Sequence, residues 1–195
     1  KWKAGGDVNH AGTGEQLPWL ETFRRTFDEL RYGNMPDRPI PITVCHTTFD
    51  PTRAPEGKHT LYSIYYAPYD LRDGGPARWD EIKEKWGDVL VDYLRQYTTN
   101  MGPENIIART LHSPLDLERM NPSLVHGNAL GPGAFLYQFF SYRPIPEQGN
   151  YKTPVDGLYL SGHAAHPGGA IVGGGRATVQ IVMEDLGIDF EKVIS

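Results

Sequence analysis

The chain has 195 residues, a net charge of −5 and 39 % hydrophobic residues, a composition typical of a globular protein with one sizeable core. The mild acidic balance, with Lys and Arg scattered along the chain, argues against nucleic-acid binding. A single cysteine, Cys45, excludes an internal disulfide framework and fits a reducing compartment such as the cytoplasm. No apolar stretch approaches the roughly 20 residues of a membrane span, so membrane association is not expected.

The first third of the chain predicts a helix followed by two strands. Apolar residues at helical spacing predict a helix that ends near Gly33. Residues 42–47 alternate in character and predict a strand closed by Asp50-Pro51. Residues 59–66 are rich in β-branched and aromatic side chains and predict a second strand, antiparallel to the first. The apolar stripe of the helix consists of Leu20, Phe23, Phe27 and Leu30.

The middle of the chain carries the clearest helical pattern. It begins with Asp80 and Glu81, where the helix dipole favours acidic residues. The segment "ENIIARTLHSP" predicts a third strand, and Ser113 and Pro114 then predict the N-cap and first residue of a short helix. A loop leads to an aromatic apolar segment at 135–142. The apolar face of the long helix consists of Ile82, Trp86, Val89, Leu90, Tyr93, Leu94 and Tyr97.

The pattern of the C-terminal segment predicts a strand, a glycine-rich loop and a helix. Residues 158–160 predict a short strand, and a glycine-rich loop then runs into a helix that Gly187 ends. Glycine lets a backbone approach a ligand closely, and a helix N-terminus attracts electron-rich atoms. Such a terminus suits the edge of a flavin where reduction builds up negative charge. A plain structural turn explains the same glycines, and spacing alone does not separate the two interpretations.

The segment "YKTPVDGLYLSGHAAHPGGAIVGGG" resembles the C-terminal signature of the FAD-dependent phytoene-dehydrogenase-like oxidoreductases, which include carotenoid desaturases and isomerases. Four upstream segments are similar to further motifs of that family. They are "FDPTRAPEGKH", "SPLDLER", "VHGNAL" and "SYRPIP". The resemblance covers about residues 42–187, and the set of motifs taken together is specific.

The resemblance implies an α+β fold in two parts. Residues 1–150 would belong to a substrate domain, with a mixed or antiparallel sheet and helices. Residues 151–195 would supply the C-terminal strand, glycine loop and helix of an FAD-binding, Rossmann-type domain that another chain mostly provides. The positions that the resemblance places along FAD are Gly162, His163, His166, Gly168, Gly169, Ala170, Ile171, Val172, Gly173 and Gly174.

The dinucleotide-binding motif itself is not found in this sequence. A Rossmann-type fold needs a strand, G-x-G-x-x-G and a helix, with an acidic residue about 20 positions further on. The glycines of "GGDVNHAGTG" follow no apolar strand. We therefore expect a partner polypeptide that carries this half. A split enzyme, a cleavage product and an excised fragment all remain open.

Several single residues are candidates for chemistry. His163 is the candidate catalytic acid or base, although the flavin would perform most of the chemistry. His163 and His166 suggest no metal site, because the sequence places no third ligand beside them. Arg143 could pair with an acidic group or cap a loop. Arg176 could reach a cofactor phosphate or the partner chain, or it could form a surface salt bridge. The candidate substrate-binding residues are Tyr65, His126, Tyr137 and Tyr142. Taken one at a time, the tyrosines are better explained by core and sheet packing.

These observations predict an FAD-dependent oxidoreductase subunit that oxidises, desaturates or isomerises a hydrophobic or amphipathic small molecule. The alternative is a non-catalytic scaffold derived from a flavoprotein. The intact "HPGG" loop argues against a scaffold, because a scaffold has no need for close backbone approach.

Overall fold

The computed structural model describes residues 20–131, 133, 135–168 and 173–194, and the chain divides into two compact units. The first unit ends at Pro122 and the second begins at Ser123. Helices and a small two-stranded sheet confirm the predicted α+β class. The predicted functional boundary between residues 150 and 151 stays a prediction. No helix within the described ranges is both long enough and apolar enough to cross a membrane.

Helix α1, Leu20–Arg31, confirms the helix predicted from the first apolar stripe. Its apolar face is only partly covered, since Phe23 and Phe27 stay about half-exposed while Thr26 is buried. The two phenylalanine rings lie against each other, with centroids 4.8 Å apart. The helix therefore gains its stability from local contacts as much as from burial.

The two predicted strands pair as expected. Strand β1, Ile42–Cys45, and strand β2, Leu61–Ile64, are antiparallel, with Ile42 opposite Ile64. The side chain of Thr43 is fully buried, and its hydroxyl is hydrogen-bonded to that of Ser63 at 3.0 Å. Because the β2 side chains are exposed, this hairpin buries little apolar surface of its own.

Helix α2, Trp79–Arg95, organises the core of the first unit. Its first residue, Trp79, is buried and donates a hydrogen bond from Nε1 to the carbonyl of Pro68 at 3.0 Å. This bond satisfies the indole N–H, so the large ring can be buried without a desolvation penalty. Trp79 packs in a buried cluster with Leu71 and Leu115, surrounded by Met35, Ala67, Tyr69, Ile82 and Trp86.

The third predicted strand is wrong. Residues 104–114 form no strand, although the apolar and β-branched residues among them favour one. The segment is instead attached to α2 by side chains, because the Arg109 guanidinium lies 2.7 Å from the Asp88 carboxylate and 3.0 Å from that of Glu84. Leu111 lies over Gly87, where an added Cβ would come within 2.3 Å of Leu111 Cδ1. These tertiary contacts override the strand propensity.

The short helix α3, Pro114–Met120, confirms its predicted cap. The Ser113 hydroxyl accepts a hydrogen bond from the amide of Asp116, and the Asp116 carboxylate accepts one from the amide of Ser113. This reciprocal capping box satisfies two backbone donors that would otherwise lack partners at the helix start.

The second unit is built around helix α4, Gly174–Asp185, and the short helix α5, Phe190–Ile194. Gly187 has φ +68° and ends α4 as predicted. The strand predicted at 158–160 is wrong, since it shrinks to one antiparallel bridge between Lys152 and Tyr159. The Thr178 hydroxyl donates to the carbonyl of Leu160 at 3.1 Å, which attaches this segment to α4 without a ladder.

Candidate functional site

Arg143 is the most deeply buried large side chain of the second unit, with only 2 % of its surface exposed. Its Nη1 donates to the carbonyl of His163 at 2.9 Å and to that of Leu130 at 3.4 Å. Nη2 donates to Gly133 at 3.4 Å, and Nε donates to the carbonyl of Gln138. A guanidinium has several donors in one plane, so a single side chain can join several loop segments.

Glycines leave room for the side chains that pack here. At Gly168 an added Cβ would lie 2.4 Å from Cδ and Nε of Arg143. At Gly131 it would lie 2.8 Å from Cδ2 of His163. Both glycines also have positive φ, at +89° and +74°, which other residues adopt at a cost. We call Arg143, Gly168 and the carbonyls of Leu130, Gly133, Gln138 and His163 the arginine cluster.

Two of the positions predicted to contact the cofactor lie at the start of α4. Gly173 is its N-cap, and a Cβ added there would meet no described atom within 4 Å. Gly174 is buried, and a Cβ added there would lie 3.5 Å from the His166 carbonyl oxygen. The cap uses no side chain, and the first turn holds no acidic residue. The first amides of the helix are therefore suited to electron-rich ligand atoms.

His163 is exposed, and two features hold it. Its backbone oxygen accepts from Arg143, and its ring lies against the space that Gly131 leaves open. Gly162 beside it has φ +101° and open space at its Cβ position. This loop can thus present both an imidazole and a bare stretch of backbone to a ligand.

His166 is held by packing against an aromatic ring. Its ring meets that of Tyr151 edge-on, with centroids 5.8 Å apart. Its Nδ1 is buried and has no hydrogen-bond partner among the described residues. Burial raises the pKa of Tyr151 above its ordinary value. The ring contact with Tyr151 therefore holds the His166 side chain in place.

The remaining predicted cofactor positions are Gly169, Ala170, Ile171 and Val172, which lie outside the described residues. Arg176 lies over the Phe190 ring, with its Cζ 5.2 Å from the centroid. This cation–π contact lies within the second unit, and no salt bridge of Arg176 is seen among the described residues. The contact of Arg176 with a cofactor phosphate or the partner chain stays a prediction. Within the described ranges, no group of three His, Cys, Asp or Glu residues could hold a metal ion.

The predicted substrate residues lie in different surroundings. Tyr65, in the first unit, has a buried hydroxyl with no hydrogen-bond partner in the described part of the chain, and burial raises its pKa. His126, Tyr137 and Tyr142, in the second unit, are exposed. Tyr137 stacks on Phe135, with parallel rings 5.4 Å apart. The Tyr65 hydroxyl is the group among them whose hydrogen bond is left to a ligand or solvent.

The central role of Arg143 is not evident from the sequence. Of its two proposed roles, ion pair or loop cap, the structure shows the loop cap. Its place in "RPIP" and the nearby glycines were the available signals. They do not reveal burial, because its carbonyl partners come from segments as far apart as Leu130 and His163.

Comparison with curated proteins finds relatives among oxidoreductases. The rat protein named pyridine nucleotide-disulfide oxidoreductase domain-containing protein 2 is 35 % identical over 168 residues, which is 84 % of this chain and 28 % of the relative. A limonene dehydrogenase subunit of Castellaniella defragrans is 30 % identical over 154 residues, 74 % of this chain and 27 % of the relative. The lycopene-forming phytoene desaturase of Pantoea ananas is 28 % identical over 140 residues, 70 % of this chain and 27 % of the relative.

These matches confirm the resemblance predicted from the motifs, and the chain is related to the phytoene-dehydrogenase-like oxidoreductases. It spans a little more than a quarter of the length of these relatives. No family model matches the chain, and no solved structure matches it.

Proposed function

We propose that this chain is the flavin-facing and substrate-facing part of an FAD-dependent oxidoreductase. The G-x-G-x-x-G half of the cofactor site would be carried by a partner polypeptide. The relatives support the reaction class, since their names describe dehydrogenation and desaturation. Limonene and phytoene are hydrocarbons, which supports a hydrophobic or amphipathic substrate that is oxidised, desaturated or isomerised.

The arginine cluster is the observation that carries this proposal. Three segments that are similar to family motifs meet in it: "VHGNAL" through Leu130, "SYRPIP" through Arg143, and the "HPGG" loop through Gly168. A scaffold would need a stable fold, but it would not need these particular motifs to contact the same residue. Their convergence on one buried guanidinium supports a site in which loop positions are set for a ligand.

The described residues fit a flavin at the start of α4. No described atom lies within 4 Å of the Cβ positions of Gly162 and Gly173, and no side chain caps the amides of the first helical turn. A bound flavin would supply hydride acceptance at N5. The chain would let its backbone approach the ring system, exclude water, and present the His163 imidazole for proton exchange.

The name of the Castellaniella relative describes a subunit, which supports a multi-chain enzyme. We place the enzyme in the cytoplasm, in keeping with a single cysteine. The Tyr65 hydroxyl would donate to substrate or to an ordered water, because it is buried without a partner in the described part of the chain.

The proposal is tested by purifying the native protein from its source and recording its polypeptide content and flavin absorption together. A yellow preparation that releases FAD on denaturation, and that contains G-x-G-x-x-G on a second polypeptide, is the expected result. A colourless homogeneous preparation would overturn the proposal and leave the scaffold alternative.

Gly173→Ala makes the test specific to cofactor approach. Its Cβ would meet no described atom of this chain within 4 Å, so the variant should fold normally. Its affinity for flavin should fall by at least about tenfold, because the Cβ would stand where the flavin approaches the backbone. Gly175→Ala is the matched control, because the one described atom within 4 Å of its Cβ would be Ser161 Oγ, at 4.0 Å. Equal flavin content in the two variants would contradict close approach at Gly173.

A further inference from the structure

The arginine cluster is an unusual use of a buried charge. A guanidinium loses its hydration when it is buried, and this cost is offset only where its N–H groups find good acceptors. The Arg143 donors meet backbone carbonyls at Leu130, Gly133, Gln138 and His163. Since these carbonyls belong to loops, the same bonds that satisfy the charge also fix where the loops lie.

We propose that Arg143 is the positioning residue of the flavin-facing loop, and that Gly168 provides the space which admits it. This inference rests on the proposed function for the identity of the ligand. Arg143 acts through the backbone of His163 and through the "HPGG" loop, without touching the reacting atoms. The placement of His163 is therefore set by a residue 20 positions earlier in the chain.

Arginine is required because of its shape. Its planar fork donates in several directions at once, and its flat face lies over the Phe139 ring, with Cζ 5.2 Å from the centroid. A lysine ammonium would keep the charge but hold it at one point, so it cannot span carbonyls as far apart as those of Gln138 and His163. Arg143→Lys is thus a change of geometry at constant charge.

Gly168 packs directly against the Arg143 side chain and leaves no room there for a side chain of its own. An added Cβ would meet Cδ and Nε at 2.4 Å and Cζ at 2.7 Å. These atoms cannot swing away cheaply, because Nε and Nη1 are engaged with the carbonyls of Gln138 and His163. Gly168→Ala should therefore displace Arg143 and release the same loop that Arg143→Lys releases.

The experiment compares Arg143→Lys, Gly168→Ala and the control Gly157→Ala in the flavin-loaded enzyme with all its chains. Gly157 has φ +75°, close to the +89° of Gly168, but its Cβ would meet nothing within 4 Å. Residue-level hydrogen exchange follows the Phe140 amide, bonded to the Pro167 carbonyl at 3.1 Å. It also follows the Leu160 amide, bonded to the Tyr151 carbonyl, as an internal reference.

We expect Arg143→Lys and Gly168→Ala to speed exchange at Phe140 by about tenfold or more, the factor that loss of one charge-assisted hydrogen bond produces. Exchange at the Leu160 amide should speed up less than exchange at the Phe140 amide. Both variants should also shift the visible flavin absorption band, which loss of global stability alone would not do. Gly157→Ala should leave the exchange at Phe140 and the band unchanged.

The double variant Arg143→Lys/Gly168→Ala distinguishes a shared route from two separate effects. If Gly168 acts through Arg143, adding Gly168→Ala to the Arg143→Lys variant should change the Phe140 exchange rate and the flavin band little. The added change should be no larger than the change that Gly157→Ala causes in the wild type. Full additivity, or equal effects of Gly168→Ala and Gly157→Ala, would overturn the inference. A colourless wild-type enzyme would overturn the proposed function, whereas a yellow one with an unmoved band in Arg143→Lys would overturn the positioning role alone.

Discussion

At the scale of single residues, the Asp116 carboxylate connects two helices of the first unit. It accepts from the amide and hydroxyl of Ser113, both at 2.9 Å, and from Lys83 Nζ of α2 at 3.0 Å. Burial tends to raise the pKa of Asp116, but the hydrogen bonds from Ser113 and Lys83 and the lysine charge outweigh it, so the pKa is lowered from 3.8. The ionised form is therefore favoured by folding.

The first prediction concerns how the contribution of the Asp116 carboxylate to protein stability depends on pH. Asp116→Asn should lower the free energy of unfolding at neutral pH by about 1–2 kcal/mol, since the capping box and the lysine pair are both weakened. In the wild type this contribution is present above the unfolded pKa of 3.8 and is lost as pH falls through the lower folded value. The difference between the two proteins should therefore shrink in acid.

Urea unfolding of both proteins across this pH range would measure the effect. Asp73→Asn serves as the control, because Asp73 is exposed and its substitution should change little. A difference between wild type and Asp116→Asn that stays constant down to low pH would contradict the assigned role.

At the scale of elements, Gly33 ends helix α1 and joins it to a distant loop. Its φ is +74°, and its carbonyl accepts from the amide of Arg72 at 2.9 Å. A Cβ here would lie 2.6 Å from the Asp70 carbonyl oxygen and 2.7 Å from the Arg72 nitrogen. Backbone atoms cannot move aside as a flexible side chain can, so this turn tolerates only glycine.

The second prediction separates this close contact from backbone strain. Gly57 has nearly the same φ, +72°, but open space at its Cβ position. Gly57→Ala should cost only the left-handed strain of about 1 kcal/mol, and Gly33→Ala should cost about 1–3 kcal/mol more. Thermal unfolding of the two variants gives the comparison. Equal losses would show that the loop around Asp70 yields freely.

Elements with a strong local signal were predictable from the sequence. The periodicity of α1 and α2 and the Ser113 cap are local patterns, and each was confirmed. The strand predicted at 104–114 did not form, because strand formation depends on a partner that is distant in the sequence. Arg109 forms ion pairs with Glu84 and Asp88 of α2, and no strand pairs with the segment in the described part of the chain. Strand formation is a tertiary event, which a single segment cannot decide.

At the scale of the whole molecule, much apolar surface stays exposed. Leu136 is 90 % exposed, and Phe140 and Tyr137 near it are also largely accessible. These residues follow the loop that contributes to the arginine cluster, so polar packing at Arg143 and apolar exposure lie close together in the sequence. Apolar exposure of this kind favours association with other surfaces.

The third prediction uses this contrast between exposed and buried leucines. Leu136→Ser should reduce self-association of the purified chain while leaving its melting temperature nearly unchanged, because little packing is lost. Leu115→Ala, at a buried core position, should instead cost about 2–5 kcal/mol. Light scattering and thermal unfolding measure the two effects. Unchanged scattering for Leu136→Ser would show that this residue does not drive association.

The candidate site was predictable in its composition but not in its arrangement. The family motifs predict that the glycines and His163 are site residues, and a glycine-rich loop before a helix is compatible with that use. They did not show that Arg143 reaches the carbonyls of both Leu130 and His163. Such an arrangement depends on how loops cross in space, and these loops have no periodicity from which their course can be predicted.

The close fit of Gly168 against Arg143 also has an evolutionary consequence. A side chain at position 168 and an arginine at position 143 compete for the same volume, with less than 3 Å between the atoms involved. A larger side chain at position 168 should therefore be tolerated only after residue 143 has become shorter. Among diverged relatives, the two positions should covary, with larger residues at 168 appearing only where 143 has become shorter.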